Sequence, residues 1–261
     1  MSASNLQLEH DGPVATLWLN RPEVHNAFDE HLIAALTETL RTLEADAGTR
    51  VIVLAGRGRS FCAGGDLDWM RRMAGFSHDE NLRDAGALAT MLSTLAHCAK
   101  PTIARVHGAA LAGGTGLVAA CDIAIASPEA SFGTTEVRLG LIPATISPYV
   151  LRAIGARAAQ RYFLTGERFD AAQALQLGLV HEVCDAAALD ARVRDITEAL
   201  LAGAPQAQSA CKRLVQHVAA QPIGTALIHD TTARIAAARD SDEAREGIAA
   251  FFAKRPPAWR S

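Results

Sequence analysis

The spacing of apolar residues near the start of the chain predicts a strand and then a helix. Residues 14–19 alternate, so that one set of side chains (14, 16, 18) faces one way and the other set (15, 17, 19) faces the opposite way. Pro22 ends this strand, because proline biases the preceding residue away from helix. Asp29 is a predicted N-cap for a helix whose apolar residues recur at spacings of three and four: Ile33, Leu36, Leu40 and Leu43.

Further strands and helices follow in a repeating order. Apolar runs at 50–56, 102–108 and 122–127 predict buried strands, and residues 79–98 predict a helix between the first two. Beyond about residue 145 the strand signals nearly vanish, and helices are predicted at 153–163, 171–177, 187–201, 207–218 and 243–253. The pattern therefore predicts an α/β protein with a core at 1–200 and a helical extension of the same domain at 201–261.

Composition and charge narrow the classes of function. The chain has 261 residues, 49% of them hydrophobic and 20% charged, which suits a globule with a sizeable core. A net charge of −3 and 5% aromatic residues argue against nucleic-acid and membrane partners. No signal peptide is recognisable, and five scattered cysteines without a CxxC spacing favour a reducing compartment. We therefore expect a cytoplasmic protein without a metal site.

Two glycine-rich segments follow apolar strands and are the first candidates for chemistry. They span residues 57–67 and 107–117. Glycine allows a close approach to a ligand and leaves backbone N–H groups free to bind it. Two such loops from adjacent strands could direct two donors at one oxygen, which is the geometry of an oxyanion hole. Tight turns with small residues for packing are an equally good explanation of the glycines alone.

Five motifs together resemble the enoyl-CoA hydratase/isomerase, or crotonase, superfamily. They are FCAGGDL (61–67), HGAALAGGTGL (107–117), CDIAIAS (121–127), FGTTEVRLGLIP (132–143) and FFAKRPP (251–257). Their order and spacing match over nearly the whole chain. The resemblance implies an α/β spiral of ββα units with a helical C-terminal trimerisation region, assembled as a homotrimer or hexamer. It also implies an acyl-CoA substrate, with no cofactor apart from the coenzyme A of that thioester.

The resemblance assigns roles to individual positions. The backbone N–H groups of Gly65 and Gly113 match the two oxyanion donors. Residues that match coenzyme A contacts are Arg21, Ala63, Asp66, Leu67, Phe251 and Lys254. For Arg21 and Lys254, solvated surface charge is the alternative explanation.

The catalytic acids depart from the usual pattern of hydratases. The resemblance implies two glutamates twenty residues apart, and here these positions are Gly116 and Glu136. Glu136 is the predicted proton-transferring base, and Gly116 stands where the first acid is expected. The alternative for Glu136 is a partly buried structural acid paired with Arg138. A single glutamate is also typical of Δ3,Δ2-enoyl-CoA isomerases, so isomerisation is the alternative to hydration.

A finer resemblance favours hydration of a branched substrate. Residues 66–73, 136–149 and 161–169 are similar to bacterial methylglutaconyl-CoA hydratases of leucine degradation. Their substrate carries a distal carboxylate, which Arg71, Arg72 or Arg138 could receive through a bidentate contact. Trp69, Met70 and Met73, at helical spacing, are predicted to line the acyl pocket or the core.

Overall fold

The computed structural model describes residues 5–219 and 221–260. Its strands are β1 (Leu6–Asp11), β2 (Val14–Leu19), β3 (Val51–Gly56), β4 (Thr102–Val106), β5 (Ala109–Leu111), β6 (Ile123–Ala126), β7 (Ser131–Gly133), β8 (Arg168–Asp170) and β9 (Glu182–Val183). Its α-helices are α1 (Glu30–Ala45), α2 (Leu67–Met73), α3 (His78–His97), α4 (Gly113–Ala120), α5 (Ser147–Thr165), α6 (Ala171–Leu177), α7 (Leu189–Ala202), α8 (Pro205–Val218), α9 (Thr225–Arg239) and α10 (Asp242–Phe252).

The larger sheet runs in the order β1-β2-β3-β4-β6-β9. Only β1 is antiparallel to its neighbour, and the other pairs are parallel. In β2 the side chains of Ala15, Leu17 and Leu19 are buried and the alternate ones are partly exposed, as the alternation predicts. In β3 all six residues are buried, which explains its uninterrupted apolar sequence.

Helix α1 confirms the predicted cap and apolar face. The Asp29 side chain accepts a hydrogen bond from the Leu32 N–H at 2.7 Å, which satisfies one of the free donors at the start of the helix. The side chains at the predicted core positions 33, 36, 40 and 43 are all buried. This helix therefore packs its apolar stripe into the main core, which also includes Phe28 and Phe132.

A second, three-stranded sheet in the order β5-β7-β8 carries the candidate site. Two residues connect the end of β4 to the start of β5. Strand β5 pairs in parallel with β7, and β8 pairs antiparallel with β7. The strands β8 and β9 lie in the region that the sequence predicted to be helical, and they have only three and two residues. Strands this short are defined by their partners, since too few residues remain for an alternation to be visible. The architecture is the predicted α/β fold.

The C-terminal region is helical as predicted, with one helix that the sequence pattern missed. The predicted boundary after residue 200 falls inside α7, which continues to Ala202 and packs on the large sheet beside β3, β4 and β6. Helix α9 was missed because its apolar residues do not gather on one face of the helix, and Leu227 is its one buried side chain. Among the described residues no helix combines the length and apolarity needed to span a bilayer.

Candidate active site

The two glycine-rich loops lie side by side and in register. The Cys62 N–H donates to the Ala109 oxygen and the Leu111 N–H donates to the Cys62 oxygen, which pairs Cys62 with Ala110 in parallel. The same offset of 48 residues relates position 65 to position 113, and Phe28 contacts both of them. Gly64 and Ala112 confirm this register, because a Cβ built on Gly64 would lie 3.0 Å from the Ala112 Cβ. The structure thus brings the two predicted oxyanion glycines to equivalent points of adjacent segments.

The N–H groups of both glycines are available to a ligand. Phe28 pairs with Gly65 through the Gly64 oxygen and the Asp66 N–H, each at 2.7 Å, so the N–H of Gly65 points away from this bridge. Gly113 is the first residue of α4, where backbone donors have no partner within the helix. Within residues 5–219 and 221–260, neither N–H has a backbone acceptor. The positive end of the α4 dipole adds to the attraction for a developing oxyanion.

Ala112 carries the backbone strain that directs the second donor. Its φ is 48°, in the left-handed region that residues other than glycine rarely adopt. Its N–H donates to the Gly133 oxygen at 2.7 Å, which fixes the start of α4 against the end of β7. Strain of this kind is concentrated at functional sites.

Phe28 contacts both glycine loops and was not identified from the sequence. Its backbone makes both hydrogen bonds around Gly65, and its ring lies against Gly113, where an added Cβ would be 2.3 Å from Cε2. Any side chain at position 113 would therefore displace this ring. The only signal in the sequence was a large apolar residue next to the Asp29 cap, which is typical of ordinary core packing.

Glu136 is a partly buried carboxylate without an ion pair among the described residues. It opens a short 3₁₀ helix, Glu136–Leu139, three residues after Gly133, whose oxygen accepts the N–H of Ala112 in the second glycine loop. Its Oε2 atom is buried and has no hydrogen-bond partner. Burial raises the pKa of the Glu136 carboxyl, and a hydrogen bond from its own N–H opposes this more weakly. The predicted alternative, a pair with Arg138, is wrong, because Arg138 is exposed and forms no ion pair with it.

Position 116 lacks both an acid and the space for one. A Cβ built on Gly116 would lie 2.3 Å from the Ile146 Cγ2 and 2.8 Å from its Cβ. Ile146 is 1% exposed, so it cannot move aside without disturbing the core. Close packing of α4 against the start of α5 therefore accounts for a glycine at position 116, and the place of Gly116 in the catalytic set stays a prediction. Ile146, which occupies this space, was not identified from the sequence.

Arg21 and Asp66 bind each other, and their assignment as coenzyme A contacts stays a prediction. The Arg21 Nη2 donates to Asp66 Oδ2 at 2.9 Å, and the Asp66 Oδ1 accepts from the Asp68 and Trp69 N–H groups at the start of α2. Both carboxylate oxygens are thus engaged, and the Arg21 side chain is only 14% exposed. Its charge is compensated, unlike that of a phosphate-binding arginine.

The remaining residues assigned to coenzyme A lie on or near the surface. Ala63 is partly exposed and its N–H donates to the His25 oxygen at 3.0 Å, while Leu67 is 70% exposed. Phe251 and Lys254 are exposed at the end of α10. Their contact with coenzyme A stays a prediction.

Trp69 and Met70 lie against the first oxyanion glycine. A Cβ on Gly65 would be 3.4 Å from the Met70 Sδ and 3.5 Å from the Trp69 Cζ3. The Trp69 ring is buried, and its Nε1 donates to Asp84 Oδ1 on α3 at 3.1 Å. These two side chains therefore provide an apolar wall beside the Gly65 donor.

The candidate arginines differ in whether they already hold a carboxylate. Arg71 pairs with Asp68, and Arg72 makes a bidentate contact with Glu30 at 2.8 and 2.7 Å. Arg138 has no ion pair within the described part of the chain. It lies two residues after Glu136 in the same 3₁₀ helix.

Comparison with known proteins gives consistent results over nearly the full length. The sequence profile of the family described as Enoyl-CoA hydratase/isomerase matches residues 9–261. The chain is 31% identical to the short-chain-enoyl-CoA hydratase of Clostridium acetobutylicum, covering 98% of this chain and 97% of that protein. It is 33% identical to the (E)-benzylidenesuccinyl-CoA hydratase of Thauera aromatica, covering 97% and 98%.

A solved structure gives the same result for the fold. The crystal structure of an enoyl-CoA hydratase from Shewanella pealeana is 43% identical, with a TM-score of 0.96, and the match covers 99% of this chain and 97% of that one. The paired glycine loops, the partly buried glutamate and the match of the family profile agree, and the chain therefore belongs to the enoyl-CoA hydratase/isomerase family.

Proposed function

We propose that this protein adds water reversibly across the α,β double bond of an enoyl-CoA thioester. The proposal rests on Glu136 Oε2, a buried carboxylate oxygen that has no hydrogen-bond partner. Glu136 lies three residues after Gly133, whose oxygen accepts the N–H of Ala112 in the second glycine loop. The Gly65 and Gly113 N–H groups would bind the thioester oxygen as negative charge develops on it. Glu136 would take a proton from water as the water attacks C3 and return it to C2 of the enolate. Burial raises the pKa of the Glu136 carboxyl, which makes the carboxylate a better proton acceptor than an exposed glutamate.

We propose methylglutaconyl-CoA, or a related branched acyl-CoA with a distal carboxylate, as the substrate. Arg138 supports this choice, because it is the one of the three candidate arginines that forms no ion pair in the described residues; the nearby Glu167 is paired with Arg161. The relative named for benzylidenesuccinyl-CoA offers a precedent, since a succinyl thioester also carries a second carboxylate. Replacing Arg138 with Gln should lower kcat/KM for a carboxylated enoyl-CoA at least ~10-fold, a loss expected for a charge-assisted contact. Crotonyl-CoA, which has no distal charge, is the matched control substrate and should be turned over equally by both enzymes.

The Δ3,Δ2-isomerase is the second candidate, favoured by the packing at position 116. Ile146 fills the space of a second acid, and one base is sufficient to move a proton between C2 and C4. Both reactions pass through the same enolate, so exchange of the C2 proton does not separate them.

Incorporation of labelled oxygen separates the two reactions. An α,β-unsaturated thioester incubated with the enzyme in ¹⁸O-water should gain one oxygen from solvent, detected by mass, whereas a β,γ-unsaturated thioester should isomerise slowly. Rapid double-bond migration without labelled oxygen, across carboxylated and uncharged enoyl-CoA substrates, would overturn the hydratase in favour of the isomerase.

A further inference from the structure

Arg21 connects the capping residues of two helices through one guanidinium group. Nη1 lies 3.1 Å from Asp29 Oδ2, and Nη2 donates to Asp66 Oδ2 at 2.9 Å. Each aspartate uses its other oxygen as an N-cap: Asp29 accepts from the first turn of α1, and Asp66 accepts from the first turn of α2. The planar guanidinium can reach both carboxylates at once, which a lysine ammonium on its flexible stem does less well.

The same guanidinium also holds the backbone just before Asp29. Nη1 donates to the Ala27 oxygen at 2.7 Å. Ala27 and Asp29 flank Phe28, whose N–H and oxygen bond to Gly64 and Asp66 on either side of Gly65. Arg21 therefore fixes both strands of the small bridge that sets the direction of the Gly65 N–H.

The Phe28 ring extends this arrangement to the second donor. It lies against the α-carbon of Gly113 closely enough that an added Cβ would overlap it. A displacement of residues 27–29 would consequently disturb the spacing of both donors. Oxyanion donors act only when they are held within a few tenths of an ångström of their working positions.

We infer that Arg21 is a positioning residue of the oxyanion site, acting through Asp29, Asp66 and Phe28 and not through a contact with coenzyme A phosphates. This inference rests on the proposed function, because it assumes that Gly65 and Gly113 bind the thioester oxygen. The single positive charge of Arg21 is already balanced by the carboxylates of Asp29 and Asp66. The three side chains together carry one excess negative charge, which would repel a phosphate.

The test compares Arg21→Met and Arg21→Lys with the unaltered enzyme. Both variants should lower kcat about 10- to 100-fold, less than the ~10²–10³-fold loss typical when an oxyanion donor is removed. KM and the affinity for coenzyme A should change less than about threefold, since the binding surface is left in place. Arg192→Met is the matched control, because Arg192 also joins two acids, Glu182 and Asp195, but on β9 and α7. Its kcat should stay within twofold of that of the unaltered enzyme.

A spectroscopic measurement reports the donors without requiring turnover. Butyryl-CoA labelled with ¹³C at the thioester carbonyl is saturated and is not hydrated, so it reports binding alone. Its carbonyl stretch should move to lower wavenumber in the unaltered enzyme and in Arg192→Met, and this displacement should be reduced in both Arg21 variants. If Arg21→Met fails to fold, Asp66→Asn replaces it, because asparagine keeps one oxygen for the cap and puts an NH2 group, which cannot accept from Arg21, in place of the other.

The opposite pattern of results would overturn the inference. A phosphate contact predicts that Arg21→Lys keeps normal kcat, that Arg21→Met raises KM about tenfold or more at normal kcat, and that the carbonyl stretch is unchanged. An unaltered enzyme that binds butyryl-CoA without displacing the carbonyl stretch would instead refute the oxyanion site itself. That result would refute both the proposed function and the inference. If only the Arg21 variants behave otherwise than expected, the inference about Arg21 fails and the proposed function stands.

Discussion

The Glu136 carboxyl lies where ionisation costs free energy, because Oε2 is buried and lacks a hydrogen-bond partner. Its pKa is raised above the ordinary value of 4.5, mainly by burial. The folded protein therefore favours the protonated form. The stability this confers is present below the ordinary pKa and is lost as the pH rises through the raised pKa. Above the raised pKa, the buried carboxylate therefore lowers the stability of the folded protein.

Replacing Glu136 with Gln should consequently change activity and stability in opposite directions. We expect turnover to fall ~10²–10⁴-fold, with little change in coenzyme A affinity, because the base is lost. We expect the thermal unfolding midpoint to rise at pH 7 and this difference to vanish below pH 4.5, the ordinary value for glutamate. Measurement of kcat and of unfolding against pH checks both parts.

Glu129→Gln is the control for this prediction, since Glu129 is exposed in the turn between β6 and β7. It should alter neither turnover nor the pH dependence of stability. Activity of Glu136→Gln within a few-fold of normal would remove Glu136 from the mechanism.

At the scale of elements, the sequence predicted what local patterns determine and missed what distant contacts determine. Strand β2, the buried strand β3 and the Asp29-capped α1 were predicted, because alternation, an apolar run and a capping residue are local signals. Helix α9 and the strands β8 and β9 were missed, because they lack such signals.

The residues of the candidate site also divide into those that local motifs predicted and those that only the structure revealed. The glycine donors and Glu136 were predicted from motifs and from the family resemblance. The contact of Arg21 with Asp66 spans 45 residues, and that of Gly116 with Ile146 joins two separate helices, so neither leaves a local signal in the sequence. Motifs therefore indicated the candidate reacting groups, and the structure was needed to find the residues that contact them.

The packing of α4 on the start of α5 gives a prediction at this scale. Gly116→Ala places a methyl group 2.3 Å from the Ile146 Cγ2, so it should lower the free energy of unfolding by about 1–3 kcal/mol. Ile146→Ala alone should cost about 2–5 kcal/mol through the cavity it leaves. The double variant should lose less than the sum, because the second change removes the nearest clashing atom; urea denaturation of the three proteins measures the coupling.

Gly86→Ala on α3 is the control for this cycle. No atom lies within 4 Å of a Cβ at that position, so the change should stabilise the helix by about 0.4–1 kcal/mol. Strictly additive losses in the double variant would show that Gly116 and Ile146 do not share the same space.

At the scale of the whole molecule, the C-terminal helices bury too little apolar surface against their own chain. Helices α8, α9 and α10 have 14, 15 and 11 residues, yet over the described residues they bury only Leu227 and Ala250. A groove of about 780 Å³ between them has apolar walls that include Leu214, Ile235 and Ile248. Exposed apolar surface on this scale marks an interaction site, which agrees with the homotrimer or hexamer that the family resemblance implies.

We predict that these helices form the contact between copies of the chain. Light scattering should give the mass of the unaltered protein as three or six times 27.5 kDa. Ile235→Asp places a charge on the apolar groove and should shift the mass towards one chain, because a buried unpaired charge would oppose association. Leu82→Asp is the matched control: Leu82 is 66% exposed on α3, away from the groove, and should leave the mass unchanged. A single-chain mass for the unaltered protein, or an Ile235→Asp variant that assembles normally, would show that this surface does not join the subunits.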